Sequence, residues 1–354
     1  MSRLIADCMR WVPFALVVLT NNFLSGAFPE VMLPEFQERP VLYSSHDRYD
    51  NGNGIDTPLS CTLEKAIEGA ESSILLMTFT CTDPKILALL NKKAMEGVSV
   101  HILADKKSNI PLARRLRPMI DIVTRDSGDG HFHHKVMVID RKYVWIGSGN
   151  FTIDGLRKVP TLAVGVYSPE FAALLEREAS YVHWQNRRLE VSHGDGRFDG
   201  QRMELYLMPH YDPLWSNPIT KAMNDRALDK MLALIRGAKT RIRISMHVWT
   251  YRDLAQAVVE AHERGVNVDV VTAMPNEQAV AMMAEAGIPV MVNKNMHHKW
   301  MLIDDHILVN GSPNFSLSAF SRNDESFVVL YDLDQKQRDV VEAIWKHLND
   351  QFFH

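Results

Sequence analysis

The feature that most constrains the fold of this 354-residue chain is an internal repeat. The segment Ala-Ile-Glu-Gly-Ala at 66–70 corresponds to Leu-Ile-Arg-Gly-Ala at 234–238, and the apolar run that follows it recurs at the same offset. Further along, His-His-Lys at 133–135 recurs at 297–299. We expect a chain with two such copies to fold as two similar units that pack against each other.

Each copy alternates predicted strands with a predicted helix. Apolar runs rich in β-branched residues predict strands, and apolar residues at helical spacing that end before Gly97 or Gly265 predict helices. The predicted strands cover 73–80, 98–103 and 136–140 in the first copy and 241–248, 266–271 and 300–304 in the second, and the predicted helices cover 85–96 and 253–264. This alternation favours an α/β fold with largely parallel or mixed sheets covered by helices.

The predicted domain organisation follows from the repeat. The first repeat is predicted at 40–185 and the second at 203–354, with a polar, glycine-rich linker at 186–202. Apolar residues make up 46% and charged residues 23% of the chain, which excludes disordered and low-complexity classes for most of it. The formal net charge of −4 disfavours a dedicated nucleic-acid binder, because no strong basic field is present to hold a long polyphosphate.

The first 27 residues have the layout of a secretory signal peptide. Arg3 and Arg10 precede an apolar run at 11–19, and Ser-Gly-Ala at 25–27 has the small residues of a cleavage site. An uncleaved membrane anchor and a buried amphipathic start remain as alternatives. The segment therefore predicts a secreted or periplasmic protein, or one anchored to a membrane through its amino terminus.

One polar motif occurs twice, once in each repeat, as H-x-K-x4-D-x6-G-S-x-N. Its members are His133, Lys135, Asp140, Ser148 and Asn150 in the first copy and His297, Lys299, Asp304, Ser312 and Asn314 in the second. Residues two apart in a strand face the same side, so each histidine projects together with the lysine of its own copy. An imidazole beside an ammonium suits a phosphate, because the lysine neutralises oxygen charge while the ring nitrogen attacks or protonates.

The duplicated motif is the HKD signature, and the chain resembles the phospholipase D superfamily over residues 40–350. The resemblance implies two repeated α/β/α sandwich domains, with mixed sheets, related by a pseudo-twofold axis. Members of this superfamily cleave phospholipids, cardiolipin, DNA or RNA, and some transfer phosphatidyl groups. The resemblance further implies a phosphohistidine intermediate that requires no metal and no cofactor.

The resemblance also assigns roles to the motif residues. His133 is expected to be the nucleophile and His297 the acid and later the base, with Lys135, Lys299, Asn150 and Asn314 on the phosphate and Ser148 and Ser312 supporting that cradle. Asp140 and Asp304 complete the predicted catalytic set, although in the family they are more often structural. A downstream glutamate often orients the motif histidine, and Glu325 occupies that place in the second copy. Thr161 stands at the matching place in the first copy, which makes the halves unequal and leaves the choice of nucleophile open.

The function expected from the sequence is a phospholipase D-type phosphodiesterase that acts on glycerophospholipids at a membrane surface. Because one chain carries both half-sites, a monomer is expected. The alternatives are a nuclease of the same superfamily, a phosphatidyltransferase similar to cardiolipin synthase, and a catalytically silent lipid-binding homologue. A metal site built from His131, His133 and His134 is disfavoured, because only His-His-Lys recurs in the second copy.

Overall fold

A computed structural model describes residues 36–50, 55–108, 112–126, 129–184, 193–209 and 218–350. The predicted signal peptide or anchor at 1–27 lies outside these residues. Within the described ranges, no helix combines the length and the apolar character needed to cross a bilayer.

The first half contains nine strands and four helices among its described residues. The strands are Val41–Ser44 (β1), Tyr49–Asp50 (β2), Ile55–Asp56 (β3), Ser73–Thr78 (β4), Ser99–Asp105 (β5), Asp121–Arg125 (β6), Lys135–Ile139 (β7), Tyr143–Gly147 (β8) and Leu162–Tyr167 (β9). The helices are Pro58–Glu68 (α1), Pro84–Met95 (α2), Leu112–Arg115 (α3) and Pro169–Trp184 (α4), and a π-helical turn covers Asp154–Lys158.

The second half contains eight strands and five helices among its described residues. The strands are His193–Phe198 (β10), Gln201–Met208 (β11), Arg241–Met246 (β12), Asn267–Thr272 (β13), Val290–Val292 (β14), Lys299–Ile303 (β15), Ile307–Gly311 (β16) and Glu325–Leu330 (β17). The helices are Pro218–Gly237 (α5), Arg252–Glu263 (α6), Gln278–Glu285 (α7), Leu317–Ser321 (α8) and Gln335–Asp350 (α9).

The two large sheets have the same strand order. The first runs β1-β9-β8-β7-β4-β5-β6, and the second runs β10-β11-β17-β16-β15-β12-β13-β14, so it matches the first apart from the added strand β10. In each sheet the βαβ strands, β4-β5-β6 and β12-β13-β14, are parallel and the remaining neighbours are antiparallel. The prediction of a repeated α/β fold with mixed sheets is therefore confirmed.

The two helices predicted at 85–96 and 253–264 correspond to α2 and α6, and each begins and ends within one residue of the predicted bounds. Helix α2 begins at Pro84 because Asp83 accepts hydrogen bonds from the N–H groups of Lys85 and Ile86. Gly97 and Gly265 follow α2 and α6 with φ values of 93° and 90°, a left-handed conformation that glycine adopts at little cost.

The region predicted as a linker differs from that expectation. Residues His193–Phe198 pair with β11 and form an edge strand of the second sheet. The turn between the two strands is formed by Asp199 and Gly200, both with positive φ, which is the backbone that a tight hairpin requires. The glycines at 194 and 196 are typical of a loop, but here they make room for aromatic rings. A Cβ at 194 would clash with the ring of Phe171, and a Cβ at 196 would clash with the ring of Phe198.

The two halves share one apolar core. It joins the inner faces of both sheets and the helices α4 and α9, with residues such as Val144, Leu175, Trp300 and Trp345. The contacts between the halves are exchanged, since β8 meets β17 and β16 meets β9. A second core lies between the outer face of the second sheet and helices α5, α6 and α7. The exchange of contacts is what a pseudo-twofold axis between the repeats produces.

Candidate active site

The motif histidines lie where the two halves meet. Each immediately precedes the central strand of its sheet, β7 or β15, and each donates its backbone N–H to the opposite half. The N–H of His133 bonds the carbonyl of Asp324 at 2.8 Å, and that of His297 bonds the carbonyl of Pro160 at 3.0 Å. Phe132 and Asp324 also form a short parallel bridge. The fold therefore brings both motif copies to the interface between the two halves, which we call the seam.

His133 is oriented by a carboxylate from the other half. Its Nδ1 lies 2.8 Å from Oε2 and 2.9 Å from Oε1 of Glu325, which is fully buried. An Nδ1–H that donates to this carboxylate places the lone pair of the ring on Nε2. Glu325 thus serves the histidine of the first copy and not the histidine of its own copy.

Glu325 is itself held by hydrogen bonds within the second half. Ser312 Oγ and Asn323 Nδ2 both donate to its carboxylate. Burial raises the pKa of Glu325, and the Lys135 ammonium and these two donors oppose that rise. The result is a fixed acceptor for the Nδ1 proton of His133.

His297 has no carboxylate in the corresponding place. Its Nδ1 lies 3.1 Å from the carbonyl oxygen of Ser148 in the first half. Thr161 takes the position of Glu325, and its hydroxyl bonds Ser45 and the carbonyl of Gly155. The two histidines therefore have partners of different charge, which separates their properties as acid and base.

Two lysines are buried beside the histidines. The ammonium of Lys135 donates to the carbonyl of His133 at 2.7 Å, and that of Lys299 donates to the carbonyl of His297 at 3.1 Å. Burial lowers the pKa of Lys135 to about 7, while Glu325 and Asp105 act to raise it. Burial and repulsion from Lys135 lower the pKa of Lys299 well below its usual value. A bound anion would allow both lysines to carry charge.

The charges of each half act on the histidine of the other. Burial, then Lys135 and Lys299, lower the pKa of His133 well below its ordinary value. The pKa of His297 is also well below its ordinary value. Burial is the largest cause, followed by Lys299, His247, Lys135 and His133. Both imidazoles are therefore neutral near pH 7 in the free protein, and both respond to the same two lysines. This mutual influence indicates that the two half-sites form a single centre.

The motif asparagines stand at the edge of this centre. Asn314 Oδ1 accepts the N–H of Val248 at 3.3 Å, which orients its amide nitrogen as a donor. Asn150 has a buried Oδ1 without a hydrogen-bond partner. An amide oxygen and a phosphate oxygen are both acceptors, so the predicted phosphate contact would use the Nδ2 donor of Asn150 and not this oxygen.

Ser148 and Ser312 are the serines predicted to support the phosphate cradle. Both are fully buried. The hydroxyl of Ser148 accepts the N–H of Leu162, and that of Ser312 accepts the N–H of Ser326 while donating to Glu325. Their oxygen atoms bond the protein, which is the arrangement expected of residues that support the phosphate cradle.

Asp140 and Asp304, the aspartates of the predicted catalytic set, are hydrogen-bonded within the protein. Each follows the carboxyl end of its strand, about 17 Å along the chain from the motif lysine. The carboxylate of Asp140 accepts the N–H groups of residues 71–73, and that of Asp304 accepts those of residues 239–241. Burial raises the pKa of each, but these bonds outweigh it and the pKa is lowered. Both carboxylates stabilise the turn between a helix and the following strand, which favours a structural role over a chemical one.

The neighbouring histidines of each motif are buried on the other face of their strands, as the alternation predicts. The Nδ1 of His134 lies 3.1 Å from Ser326 Oγ, and that of His298 lies 3.1 Å from Ser245 Oγ. The His134 ring thus bonds the other half, whereas the His298 ring bonds a neighbouring strand of its own half.

Sequence reasoning underrated one pair of site residues. Phe79 and His247 occupy equivalent positions after β4 and β12, and each ring contacts a motif histidine, with centroids 5.2 Å from His133 and 4.6 Å from His297. Burial, then Lys299, lowers the pKa of His247 to about 4. Their common offset in the repeat was the signal that could have identified them.

A duplicated α/β fold with two imidazoles, two ammoniums and two amides at one seam has the groups that in-line attack on a phosphodiester needs. The family model described as "Cardiolipin synthase, PLD-like domain" matches residues 63–183 and 231–351. These matches cover more than half of the chain. The chain therefore belongs to the phospholipase D superfamily.

Individual relatives match shorter stretches. The chain is 25% identical over 141 residues to the mouse protein named "Mitochondrial cardiolipin hydrolase", covering 37% of this chain and 64% of the relative. It is 33% identical over 138 residues to "Phospholipase D" of Rickettsia felis, covering 37% and 66%. The chain thus spans between half and two thirds of the curated relatives it matches.

One solved structure matches nearly the whole chain. The crystal structure of phosphatidylserine synthase from Haemophilus influenzae aligns with a TM-score of 0.59 and 12% identity, over 89% of this chain and 86% of the other. At this identity the likeness shows the fold alone.

Proposed function

We propose that this protein is a phospholipase D-type phosphodiesterase that hydrolyses glycerophospholipids through a phosphohistidine on His133. The observation that carries the proposal is the contact between His133 Nδ1 and Glu325, which leaves Nε2 as the nucleophilic atom. His297, whose ring lies against the Ser148 carbonyl and the Lys299 ammonium and has no carboxylate partner, takes the role of acid and base.

The proposed reaction proceeds in two displacements. His133 Nε2 attacks phosphorus, the bond from phosphorus to the headgroup alcohol breaks, and His297 gives that oxygen a proton. A water molecule then attacks phosphorus, His297 takes its proton, and the phosphorus–nitrogen bond breaks to release a phosphatidic acid. The two lysines and the asparagine amides hold the phosphoryl oxygens while charge develops on them.

Substrate binding makes His297 an acid. In the free protein, burial and Lys299 keep the pKa of His297 low. The negative charge of a bound phosphodiester opposes both the lysine repulsion and the loss of solvation, so it raises this pKa. Proton donation is thereby coupled to occupation of the site.

The choice of a lipid substrate rests on the relatives and on the overall charge. The names of the matched relatives include cardiolipin hydrolase and phospholipase D. The net charge of −4 gives no broad attraction to nucleic acid. We further propose that the protein acts as a monomer on a membrane surface, is secreted or periplasmic, and uses its first 27 residues as a cleaved signal or an anchor.

A substrate panel tests this proposal. The purified protein is assayed against vesicles of phosphatidylcholine, phosphatidylethanolamine, phosphatidylglycerol or cardiolipin, and in parallel against single-stranded DNA and RNA. Release of headgroup or phosphatidic acid without nucleic-acid cleavage is expected. Cleavage of nucleic acid alone would establish the nuclease alternative, and vesicle binding without product would establish a silent lipid-binding protein.

A primary alcohol added to the same assay separates hydrolysis from transfer. A phosphohistidine that is open to acceptors yields phosphatidyl alcohol alongside phosphatidic acid. Trapping of a 32P-labelled, acid-labile adduct on His133 identifies the intermediate, and a label on His297 instead would reverse the assignment.

A further inference from the structure

A group of potential metal ligands lies in the first half, away from the motif histidines. Among the described residues, His101, Asp121 and His183 are the one set of three such side chains whose ligand atoms all lie within 4.8 Å of one another. They line a concave pocket of about 410 Å³. His101 is the third residue of β5, whose last residue, Asp105, bonds the N–H of Phe132 beside the motif, so about 13 Å of strand separates His101 from that end.

The three ligand atoms converge on one point. Oδ2 of Asp121 lies 2.7 Å from Nδ1 of His101 and 3.9 Å from Nδ1 of His183. The two imidazole centroids are 5.3 Å apart with planes inclined at 46°, so neither ring blocks the other. Bonds of about 2.0–2.2 Å to one Zn²⁺ ion would set these atoms about 3.3 Å apart, which small side-chain rotations achieve.

The three residues come from elements that are distant in the chain. His101 is on β5, Asp121 pairs with it on β6, and His183 lies in the last turn of α4. A metal bound here would tie the end of α4 to the edge of the sheet, just before the chain leaves the first half. The guanidinium that lines the same pocket, Arg141, forms an ion pair with Glu176 at 3.4 Å, which reduces its repulsion of a cation.

The second half lacks this set although its fold is the same. Asp269 occupies the place of His101, and Pro289 lies beside it where Asp121 stands in the first half. The carboxylate of Asp269 is paired with Arg241 at 3.0 Å. The cluster is therefore not a by-product of the shared architecture.

We propose that His101, Asp121 and His183 bind one divalent transition-metal ion, with Zn²⁺ the best match, through two imidazole nitrogens and one carboxylate oxygen. This donor set suits zinc and its neighbours in the first transition row and disfavours Mg²⁺ and Ca²⁺, which prefer oxygen ligands. Solvent supplies the remaining ligand. The ion stabilises the end of α4 and takes no part in phosphodiester cleavage.

Metal titration of the full chain tests this site. The protein is freed of affinity tag, treated with chelator, and titrated with Zn²⁺ by calorimetry and with Co²⁺ by visible absorption. One equivalent should bind, with the absorption of a four- or five-coordinate cobalt ion. His183→Ala and Asp121→Asn should weaken binding by more than the roughly 10- to 100-fold that loss of a supporting contact costs at a metal site.

Two controls locate the bound equivalent. His306→Ala removes an exposed histidine outside the pocket and should leave binding unchanged. The double variant His133→Asn/His297→Asn removes the motif histidines and should also retain the equivalent. Circular dichroism confirms that each variant is folded.

The outcomes are decisive in both directions. If Zn²⁺ raises the melting temperature of the wild type but not of His183→Ala, and both hydrolyse substrate equally in EDTA, the site is established. Binding no tighter in the wild type than in His183→Ala, or loss of the equivalent only in the motif double variant, overturns it.

Discussion

The two halves share a strand order and a motif, yet they surround their histidines with different groups. His133 faces a carboxylate, Glu325, while His297 faces a carbonyl, because Thr161 stands where a second glutamate would be. Phe79 lies against the first ring and His247 against the second. The duplicated framework places two imidazoles in equivalent positions, and a few substitutions around them give each imidazole different neighbours, on which the proposed division between attack and proton transfer depends.

Removal of either imidazole should have the largest effect and should distinguish the halves. We expect His133→Asn to abolish turnover and phosphoenzyme formation, because no nucleophile remains. His297→Asn should lower turnover of a natural lipid by about 10²–10⁴-fold, since general acid–base help is lost.

An activated substrate sharpens this contrast. A phosphodiester with a p-nitrophenol leaving group needs little protonation, so His297→Asn should still give a burst of p-nitrophenol, measured by stopped-flow absorbance. A burst in His133→Asn and none in His297→Asn would reverse the two roles.

Neutralising the buried carboxylate should have the next largest effect. Glu325→Gln keeps the shape but removes the charge that orients His133, and we expect kcat to fall by roughly 10- to 100-fold with little change in KM. The pH profile should also change, which a merely structural defect would not cause.

Thr161→Val is the matched control in the other half. It removes two hydrogen bonds to the protein and should cost about 1 kcal/mol of stability while leaving kcat near the wild-type value. Equal losses of kcat in the two variants would contradict the division of roles.

The two lysines should differ in their effect on pH dependence. Since the pKa of Lys135 is about 7, kcat/KM should fall as pH rises through that value, because the ammonium that binds phosphate loses its proton. Lys135→Arg keeps its charge, so the alkaline fall should move to higher pH even though the rate is lower.

Lys299→Arg is expected to shift the profile in the opposite sense. A permanent positive charge beside Lys135 lowers the pKa of Lys135 further, so the fall should begin at lower pH. Profiles of kcat/KM measured from pH 5 to 9 for the wild type and both variants test these two shifts. An unchanged alkaline limb in Lys135→Arg would assign it to another group.

The smallest effect on catalysis, and the most symmetrical, should come from the motif aspartates. Asp140→Asn and Asp304→Asn each weaken a carboxylate that accepts several backbone N–H groups, and each should lower the free energy of unfolding by about 1–3 kcal/mol. Urea denaturation measures this loss, and activity at 25 °C should persist. A large fall in kcat with unchanged stability would return these residues to the catalytic set.

Much of the fold could be predicted because the information was local or repeated. The alternation of strands and helices, the glycines that end α2 and α6, and the opposite orientations of His133 and His134 all follow from spacing along the chain. The partner of His133 could not be predicted in this way. Glu325 is close to His297 in sequence, and its contact with the other half depends on how the sheets face each other.

The side-chain partners of the motif serines and aspartates could not be predicted for a related reason. A conserved-looking spacing does not reveal whether a hydroxyl or carboxylate is already bonded by the protein. Ser312 bonds Glu325, and Asp304 bonds the turn before β12, so neither group is left for a substrate. The strand at 193–198 escaped prediction because glycine-rich sequence resembles a loop until aromatic rings pack over it.

The backbone bonds across the seam, from His133 to Asp324 and from His297 to Pro160, limit how the molecule can move. A rotation that separated the two halves would break these bonds and expose the apolar core that both sheets share. These contacts oppose a hinge motion between the halves. If the proposed reaction takes place at this interface, its rate should therefore be largely insensitive to agents that slow domain motion, such as viscous cosolvents.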